Sequence, residues 1–398
     1  MKKVVIFSSK GGGGHTAVAN ALQHYLKDSY HIKTANIFTE VLAPLDLLQI
    51  LTRGCISGES IYNFCIARKW YRFLNLYYHM GIFYYENLRP KTDNLIDIYL
   101  NKEKPDFIVS VVPLVNNIIL SCAQKKNIPF LLIPTDIDIT TFIANIDSPN
   151  YKQFKIAIPF QDEPTKQKLL QAKIPAHAYQ TTGFVLRSHF FEEKEPAAIK
   201  FFYDAPQDKP IVLLLLGAVG SQAVITFAQQ LSYIDVPCHI LICIGRQEHL
   251  KNKINAIDFP PHISFSIIEF TDRISDLMAI ADVLITKSGS VSVNEAIYMN
   301  LPMILDATTN ILKWERYNHV FIKDHEFGIS IENFSNLSLI VTDMLTHNSQ
   351  LIKYRNNLRH FNKKQGGQEI KKIIGQMLNE EWIIGKVSEI GLPSIFMK

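Results

Sequence analysis

The chain starts the same structural unit twice, and this restart constrains its fold more than any other feature. Val4–Ser8 is a short apolar run, followed by four consecutive glycines, Gly11–Gly14, and by helical spacing over Thr16–Lys27. Ile211–Leu216 repeats the pattern, with a glycine turn and then helical spacing over Gln222–Leu231. An apolar strand, a glycine turn and a helix open an α/β unit. The sequence therefore predicts two Rossmann-like halves, each on its own sheet.

Further apolar runs are continuous rather than alternating, as in parallel strands covered on both faces. These predicted strands are Phe107–Val112, Phe130–Ile133, His239–Ile244, Phe265–Ile268, Val283–Thr286 and Met303–Leu305. A chain of 398 residues exceeds the roughly 250–300 residues at which one core stops growing. The polar, proline-containing segment Glu192–Lys209 is the best linker. We therefore expect domains at 1–190 and 191–360, and a C-terminal helix and tail at 361–398 that cross back to the first domain.

Composition excludes several classes of protein. Hydrophobic residues make up 47% and charged residues 20%, as in a globular chain. A net charge of +4 is too small to indicate a nucleic-acid partner. Five cysteines without a C-x-x-C pair predict reduced thiols in a cytoplasmic protein, with no metal site. The first apolar run is shorter than a signal-peptide core, and no run reaches the roughly 18 residues of a spanning helix.

The loop after the first strand admits two interpretations. Lys10–Thr16 resembles the deviant P-loop of ParA/MinD-type ATPases, but His15 stands where that loop requires a phosphate-binding lysine. In the second interpretation, glycines such as Gly14 bring the backbone close to bound substrate, and neutral His15 accepts the proton of an attacking hydroxyl. A turn with a helix-capping histidine is the alternative without a functional role.

The most specific string in the sequence runs from Phe270 to Ile304. Its centre reads Ala281-Asp-Val-Leu-Ile-Thr-Lys-Ser-Gly-Ser-Val-Ser-Val-Asn-Glu295-Ala. It resembles the ADxxITKxGxxTxxEAxxxxxPxI motif of the monogalactosyl- and glucosyl-diacylglycerol synthases and the peptidoglycan lipid-carrier N-acetylglucosaminyltransferase. The resemblance extends from Val4 to about Gln376. It implies a GT-B fold, in which two Rossmann-like domains face a central cleft and a UDP-sugar binds the C-terminal one.

The physics of this string agrees with the resemblance. A strand that ends at Thr286, a small-residue loop and a helix from near Val291 form a cradle for a pyrophosphate, because helix N–H groups favour an anion. The resemblance implies that Glu295 binds the ribose hydroxyls; the alternative is a solvent-facing glutamate. The resemblance implies further donor contacts at the diphosphate, in the facing turn, beside the nucleotide and its base, and at the sugar. In that order they are Lys287, Ser288, Gly289 and Ser290; Gly217 and Gly220; Arg246 and Phe270; and Glu315 and Asn318. Gly14, in the loop before His15, is also expected to contact the donor. Phe270 has core packing as its alternative, and Trp314 replaces a family glutamine, which leaves the sugar open.

Two motifs point to the acceptor side. Thr135-Asp136 resembles the Thr-Asp that follows a strand in the diacylglycerol glycosyltransferases. Asp136 is expected to position an acceptor hydroxyl, to orient His15, or to cap the next helix. Thr182–Arg187 resembles the segment that ends the first domain in the family, which places Arg187 near the cleft between the domains.

Aromatic and basic side chains are concentrated in Tyr62–Lys91, where Trp70, Arg72 and Tyr77 are the residues expected at the acceptor and membrane surface. Aromatic rings together with cations favour the headgroup region of an anionic membrane. The resembling families dock on the bilayer with a similarly placed insertion. An aromatic helix pair in the core is the alternative.

The sequence and the resemblance together predict an inverting, metal-independent hexosyltransferase that has no cofactor. The donor is a UDP-sugar, the acceptor is a lipid such as diacylglycerol, and the enzyme is peripheral on the cytoplasmic face of an anionic membrane. The alternatives are N-acetylglucosaminyl transfer to another lipid carrier, a UDP-sugar 2-epimerase, and a non-catalytic nucleotide-sugar-binding membrane protein. The oligomeric state stays open.

Overall fold

The computed structural model describes residues 1–68, 70–217 and 222–389, and the side chains of these residues as far as 379. It contains two parallel six-stranded sheets. Both faces of each sheet are buried: Val4 and Ile6 of the first strand belong to one core, and Val5 and Phe7 belong to another. Helices therefore cover the sheets on both sides, as the continuous apolar runs predict.

The N-terminal lobe contains the first sheet. Its strands are β1 (Lys3–Ser8), β2 (His31–Asn36), β3 (Phe107–Ser110), β4 (Phe130–Leu132), β5 (Phe154–Ile158) and β6 (Tyr179–Thr181). Its helices are α1 (Gly14–Leu26), α2 (Leu47–Leu51), α3 (Gly58–Ala67), α4 (Tyr71–Asn87), α5 (Arg89–Glu103), α6 (Asn116–Lys125), α7 (Thr140–Ile143) and α8 (Glu163–Gln171). Three helices, α2 to α4, follow β2 and form an insertion before α5 returns the chain to β3.

The C-terminal lobe begins with helix α9 (Pro196–Phe202). Its strands are β7 (Ile211–Leu215), β8 (Cys238–Gly245), β9 (Ile263–Glu269), β10 (Val283–Lys287), β11 (Met303–Asp306) and β12 (Gly328–Ile331). Its helices are α10 (Ala223–Leu231), α11 (Leu250–Asn255), α12 (Ile274–Ile280), α13 (Ser290–Tyr298), α14 (Arg316–Asp324), α15 (Leu337–Thr346) and α16 (Ser349–His360), and α17 (Gly366–Glu389) follows.

The order of the strands locates a crevice in each sheet. The first sheet runs β2-β1-β3-β4-β5-β6 and the second runs β12-β11-β10-β7-β8-β9. The direction of the winding reverses between β1 and β3 in the first sheet and between β7 and β10 in the second. Open α/β sheets bind ligands at the carboxyl ends of the strands beside such a reversal. The fold therefore points to one ligand-binding edge on each lobe.

The last helix crosses back to the first lobe. Helix α17 packs on α1, where a Cβ atom at Gly367 would lie 2.2 Å from the ring of Tyr25. The backbone oxygen of Lys364, just before α17, accepts a hydrogen bond from the Tyr298 hydroxyl of the second lobe. That hydroxyl also accepts from the backbone N–H of Phe184, at 3.0 Å. Tyr298 thus contacts both segments in which the chain passes between the lobes, one at Phe184 and the other at Lys364. No helix in the described part of the chain is both long and apolar enough to cross a bilayer.

Replacement of Gly183 by alanine is expected to destabilise this junction. Gly183 has a φ of 81°, and a Cβ atom there would lie 2.2 Å from the oxygen of Lys364. We expect Gly183→Ala to lower the free energy of unfolding by roughly 2–4 kcal/mol, from backbone strain together with the steric clash. Gly54→Ala is the matched control, because Gly54 has a φ of 88° with open space around it, and should cost only about 1 kcal/mol. Urea unfolding measures both, and equal losses would contradict the argument.

Candidate active site

The loops that the sequence predicts to carry the chemistry lie at the two crevices. The glycine loop, residues 9–14, leaves the carboxyl end of β1 beside β3. Gly217 follows β7, and the segment of Ser288, Gly289 and Ser290, here called the Ser288–Ser290 loop, follows β10. Both lobes therefore present a glycine-containing turn at the edge where a ligand is expected.

The backbone of the glycine loop is hydrogen-bonded within the protein. The N–H of Lys10 donates to Glu59 Oε1 at 2.9 Å, and the N–H of Gly12 donates to Asn63 Oδ1 at 2.9 Å. A P-loop uses successive backbone N–H groups of this kind to bind phosphates. In this structure two of these N–H groups already donate to side chains of α3. The geometry therefore opposes the ATPase interpretation.

His15 lies in the first turn of α1, inside the crevice between β1 and β3. Its Nδ1 atom is 2.9 Å from the hydroxyl oxygen of Thr135, and its ring meets Phe142 edge-on at 6.1 Å between centroids. Burial lowers the pKa of His15 from 6.5 to about 4, although a hydrogen bond to the backbone of Val111 opposes the shift. The imidazole is therefore neutral at physiological pH, which is the form that accepts a proton.

Asp136, the residue after Thr135, faces the other lobe. Its Oδ1 atom accepts a hydrogen bond of 2.6 Å from the hydroxyl of Ser290, the first residue of α13. Burial raises the pKa of Asp136 to about 7; the Ser290 hydrogen bond opposes this shift, and the charge of Glu315 adds to it. Of the roles considered for Asp136, orienting His15 falls to Thr135 in this structure, while Asp136 spans the cleft.

The Ser288–Ser290 loop is shaped from behind by two fully buried amides. Asn318 Nδ2 donates to the backbone oxygen of Ser288 at 2.6 Å and to the Ser290 hydroxyl at 3.2 Å. Asn294 Nδ2 donates to the backbone oxygen of Ser290 at 2.7 Å. Asn318, which the resemblance places at the sugar, thus contacts this loop through its amide nitrogen, as does Asn294.

A positive charge lies between the two turns of the C-terminal lobe. A Cβ atom at Gly217 would be 3.6 Å from Lys287 Nζ, so the ammonium group rests directly against the Gly217 turn. The first N–H groups of α13 have no partner within the helix and point out of its N-terminus. The cation and the helix end together favour an anion at the Ser288–Ser290 loop. Gly220 lies outside the described residues.

Glu295 is buried, with 5% of its surface exposed, so it is not a solvent-facing helix residue. Its Oε1 atom is 3.2 Å from Arg187 Nη2, and Arg187 Nη1 also donates to the backbone oxygen of Asp272 at 3.3 Å. Burial raises the pKa of Glu295 to about 7 even though Arg187 opposes the shift. Arg187 therefore lies at the cleft, as the sequence predicts, and is paired with the carboxylate that the resemblance assigns to the ribose.

Trp314 and Glu315 belong to a segment of the C-terminal lobe that inserts against α3 and α4. The Trp314 ring lies 6.5 Å from Tyr62 and 5.4 Å from Tyr78, measured between centroids. Glu315, next to it, is close to Lys287 and accepts a hydrogen bond from Ser288, while burial raises its pKa. The tryptophan that stands where the family has glutamine is thus an aromatic contact between the lobes.

Arg246 and Phe270 form a pair at the carboxyl ends of β8 and β9. The guanidinium carbon of Arg246 lies 4.4 Å from the centre of the Phe270 ring. Phe270 is 50% exposed, so core packing does not explain it. The pair lies on the same sheet edge as Gly217 and offers a flat cationic and aromatic surface.

The three residues expected at the membrane surface differ in their surroundings. Trp70 is 54% exposed, and Arg72 is exposed as well. Tyr77 is half-buried, and a Cβ atom at Gly58 would lie 2.6 Å from its hydroxyl oxygen. Trp70 and Arg72 thus belong to the surface, whereas the Tyr77 hydroxyl of α4 lies against the start of α3. Among the described residues, no three His, Cys, Asp or Glu side chains are arranged to hold a metal ion.

Comparison with known proteins agrees with this geometry. Residues 211–320 match the model of the glycosyltransferase family 28 C-terminal domain. The crystal structure of Acinetobacter baumannii MurG superposes with a TM-score of 0.60 at 14% identity, covering 94% of this chain and 100% of that one. The fold is GT-B. The GT-B framework also appears in the UDP-GlcNAc 2-epimerase of Neisseria meningitidis, with a TM-score of 0.55 at 14% identity over 95% of this chain and 100% of that one.

The chain is also similar in sequence to relatives over nearly their whole length. A processive diacylglycerol beta-glucosyltransferase of Bacillus pumilus (strain SAFR-032) is 22% identical over 381 residues, which are 93% of each chain. In the GT-B framework, the matched family domain is the lobe that carries the Ser288–Ser290 loop, and His15 lies on the facing lobe.

Several residues of the site escape sequence reasoning. Thr135 belongs to a motif that the sequence highlights, but nothing in the sequence pairs it with His15. Glu59 and Asn63 lie in an unremarkable stretch of α3, far along the chain from the glycine loop they contact. Only the proximity of Asn294 to Glu295 in the donor-like string could have drawn attention to it.

His15 is expected to stay neutral over the pH range in which an ordinary histidine titrates. The pKa of about 4 predicts that its imidazole resonances do not move between about pH 5.5 and 8. Imidazole NMR of the folded protein, with His15→Gln to assign the signal, measures this directly. A midpoint near the ordinary value would show that the ring is hydrated and would contradict the geometry.

Proposed function

We propose that this protein transfers a hexose from a UDP-sugar to the hydroxyl group of a lipid such as diacylglycerol, with inversion at the anomeric carbon. One observation carries the proposal. Adjacent residues bridge the cleft: Thr135 contacts the ring of His15, and Asp136 contacts Ser290 at the N-terminus of α13. His15 and the N-terminus of α13 are therefore both contacted by one dipeptide, Thr135-Asp136.

Similarity to known proteins supports the choice of substrates. The matched domain model is that of a glycosyltransferase family, and a relative that covers 93% of the chain is a processive diacylglycerol beta-glucosyltransferase. The anion site of the C-terminal lobe suits the diphosphate of a nucleotide-sugar, since it combines a cation with a helix N-terminus. The Arg246–Phe270 surface at the same edge suits a nucleobase.

The reaction follows from these positions. The His15 imidazole takes the proton of the acceptor hydroxyl, and the hydroxyl oxygen forms a bond to the anomeric carbon. The bond from that carbon to the diphosphate oxygen breaks on the opposite face, so the configuration inverts. UDP carries away the electron pair of the broken bond. The product is a glycosylated lipid, and the proton rests on His15 until solvent removes it.

The leaving diphosphate is stabilised by groups that are already in place. The N-terminus of α13 and the Lys287 ammonium face the growing negative charge, and the buried amides of Asn294 and Asn318 hold the loop in shape. Preorganised donors of this kind stabilise a charge as it develops. We propose that they act instead of a metal ion and that no further cofactor takes part.

An exposed apolar face offers a route for the lipid. Phe73, Leu76, Met80 and Phe83 lie at helical spacing on α4 and are 47%, 58%, 58% and 72% exposed. Arg72, on the same helix, is exposed as well. An apolar stripe with flanking cations suits the headgroup boundary of an anionic bilayer. Because α3 contacts both α4 and the glycine loop, this face adjoins the acceptor side of the cleft.

The transfer itself is tested with radiolabelled UDP-glucose, UDP-galactose and UDP-N-acetylglucosamine and with vesicles that contain dioleoylglycerol. We expect one label to enter the organic phase. His15→Ala should lower the rate of transfer by roughly 10²–10⁴-fold, because the general base is lost, while UDP binding measured by calorimetry changes little.

Other outcomes would contradict the proposal. Label that stays in water as a free sugar or an isomerised donor, without any need for acceptor, would indicate an epimerase. Tight UDP-sugar binding without turnover of any donor would indicate a non-catalytic binder. Equal loss of transfer and UDP binding in His15→Ala would show that the histidine serves binding and not proton transfer.

The apolar face is tested by sedimentation with vesicles of phosphatidylglycerol and phosphatidylcholine. The triple variant Phe73→Ser, Met80→Ser, Phe83→Ser should weaken binding by about tenfold or more, because less apolar surface leaves water. The matched control replaces Leu170, Phe201 and Leu339, which are 72%, 83% and 70% exposed elsewhere, by serine. Equal binding by the two triple variants would contradict docking through α4.

A further inference from the structure

A single carboxylate from α3 collects hydrogen bonds from two separate strand ends. Glu59 Oε1 accepts from the Ser9 hydroxyl at 2.7 Å and from the Lys10 N–H at 2.9 Å. Glu59 Oε2 accepts from Nδ2 of Asn36, the last residue of β2, at 2.7 Å. Hydrogen bonds to a charged acceptor are stronger than neutral ones. Glu59 therefore ties the start of the glycine loop to the end of the neighbouring strand.

The orientation of the Asn36 amide is determined by its other contacts. Asn36 Oδ1 accepts from the backbone N–H groups of Phe38 and Thr39, at 3.0 and 3.2 Å, so its Nδ2 must point at Glu59. Asn36 is 7% exposed, and water has little access to this pair. An acceptor, and not a donor, is therefore required at the Oε2 position of residue 59.

A second side chain from the next turn of α3 holds the middle of the loop. Asn63 Oδ1 accepts from the Gly12 N–H at 2.9 Å, and Asn63 Nδ2 donates to the Lys10 oxygen at 3.1 Å. The loop then leads through Gly12 and Gly13, with φ of 70° and 83°, directly into the first turn of α1 and His15. Glycine adopts positive and negative φ about equally readily, so its own preference does not select the observed conformation of the loop. The hydrogen bonds with the side chains of α3 must therefore select it.

We propose that Glu59, together with Asn63, is a positioning residue that holds the glycine loop and thereby places the His15 ring at the acceptor hydroxyl. The role towards His15 rests on the proposed function; the constraint on the loop does not. Neither side chain touches the reacting atoms. Both act by removing alternative conformations of a loop in which glycine succeeds glycine.

The structure supplies a charge-swap test of this role. In Glu59→Gln the side-chain oxygen can still serve Ser9 and Lys10, but its amide now faces the Asn36 amide, donor against donor. In the double variant Glu59→Gln, Asn36→Asp, the new amide donates to the new carboxylate, and every contact regains a partner. The matched control is Glu40→Gln. The Glu40 carboxylate also accepts a hydrogen bond from Asn36, in this case from the backbone N–H of Asn36 at 3.2 Å, but it makes no hydrogen bond with the glycine loop.

Two measurements are made on the full chain. Hydrogen exchange followed by mass spectrometry reports the amides of Lys10 to Gly14, which we expect to exchange about tenfold faster in Glu59→Gln and at the wild-type rate in Glu40→Gln. In the transfer assay with UDP-glucose and dioleoylglycerol vesicles, Glu59→Gln should lower kcat by about tenfold or more and leave the KM for UDP-glucose within about twofold. The double variant should recover most of both losses.

The outcomes separate this inference from the proposed function. Unchanged exchange of the loop in Glu59→Gln would overturn the clamp, as would faster exchange that the double variant fails to reverse. Faster exchange with kcat unchanged per folded molecule would overturn the positioning role. If the wild-type protein transfers no sugar while the exchange pattern holds, the proposed function fails, and the placement of His15 for transfer is overturned along with it; the constraint on the loop stands.

Discussion

The hydrogen bond between Ser290 and Asp136 is the contact on which the site depends, because it joins the ligand-binding edges of two separate sheets. Each edge is set by a reversal in strand order, but nothing within one lobe makes the two edges face each other. Asp136 lies beside Thr135, and Thr135 contacts His15. These two residues, which follow β4, therefore connect His15 with Ser290 across the cleft. The arrangement connects His15 of one lobe with the Ser288–Ser290 loop of the other through two adjacent residues.

Burial then decides the protonation states in that cleft. It lowers the pKa of His15 to about 4 and raises those of Asp136 and Glu295 to about 7. In each case the low polarity of the surroundings disfavours the charged form and is the largest cause of the shift. Hydrogen bonds or the charge of Arg187 oppose it, while the charge of Glu315 adds to the shift of Asp136. A histidine that is neutral and carboxyl groups that ionise near neutrality suit a site that handles both a proton and a diphosphate.

The positions of the α/β elements were largely predictable, since parallel strands buried on both faces leave continuous apolar runs. Predicted strands such as Val283–Thr286 match β10 to within a residue. Strand β2, with the sequence His-Ile-Lys-Thr-Ala-Asn, escaped because it lies at the sheet edge and is partly exposed. Strand β6, with the sequence Tyr-Gln-Thr, escaped because it is a partly exposed edge strand without an apolar run. The aromatic segment from Tyr62 to Lys91 was ambiguous for a different reason. In the sequence, the apolar side chains of a helix look alike whether they face a core or a membrane. The structure divides them, with Tyr62 and Tyr78 turned to Trp314 and Phe73 and Phe83 turned outward.

By itself, the sequence determined the two-lobed α/β architecture, the glycine loop before His15 and the small-residue loop before α13. These features are local: strand, turn and helix follow one another in the chain, and their spacing carries the information. Only the tertiary structure decided which side chains meet. Thr135 with His15, Asp136 with Ser290, and Arg187 with Glu295 are pairs more than a hundred residues apart. The first pair arises because one sheet brings the ends of distant strands together, and the other two arise because the two lobes pack against each other. No spacing along the chain records either arrangement.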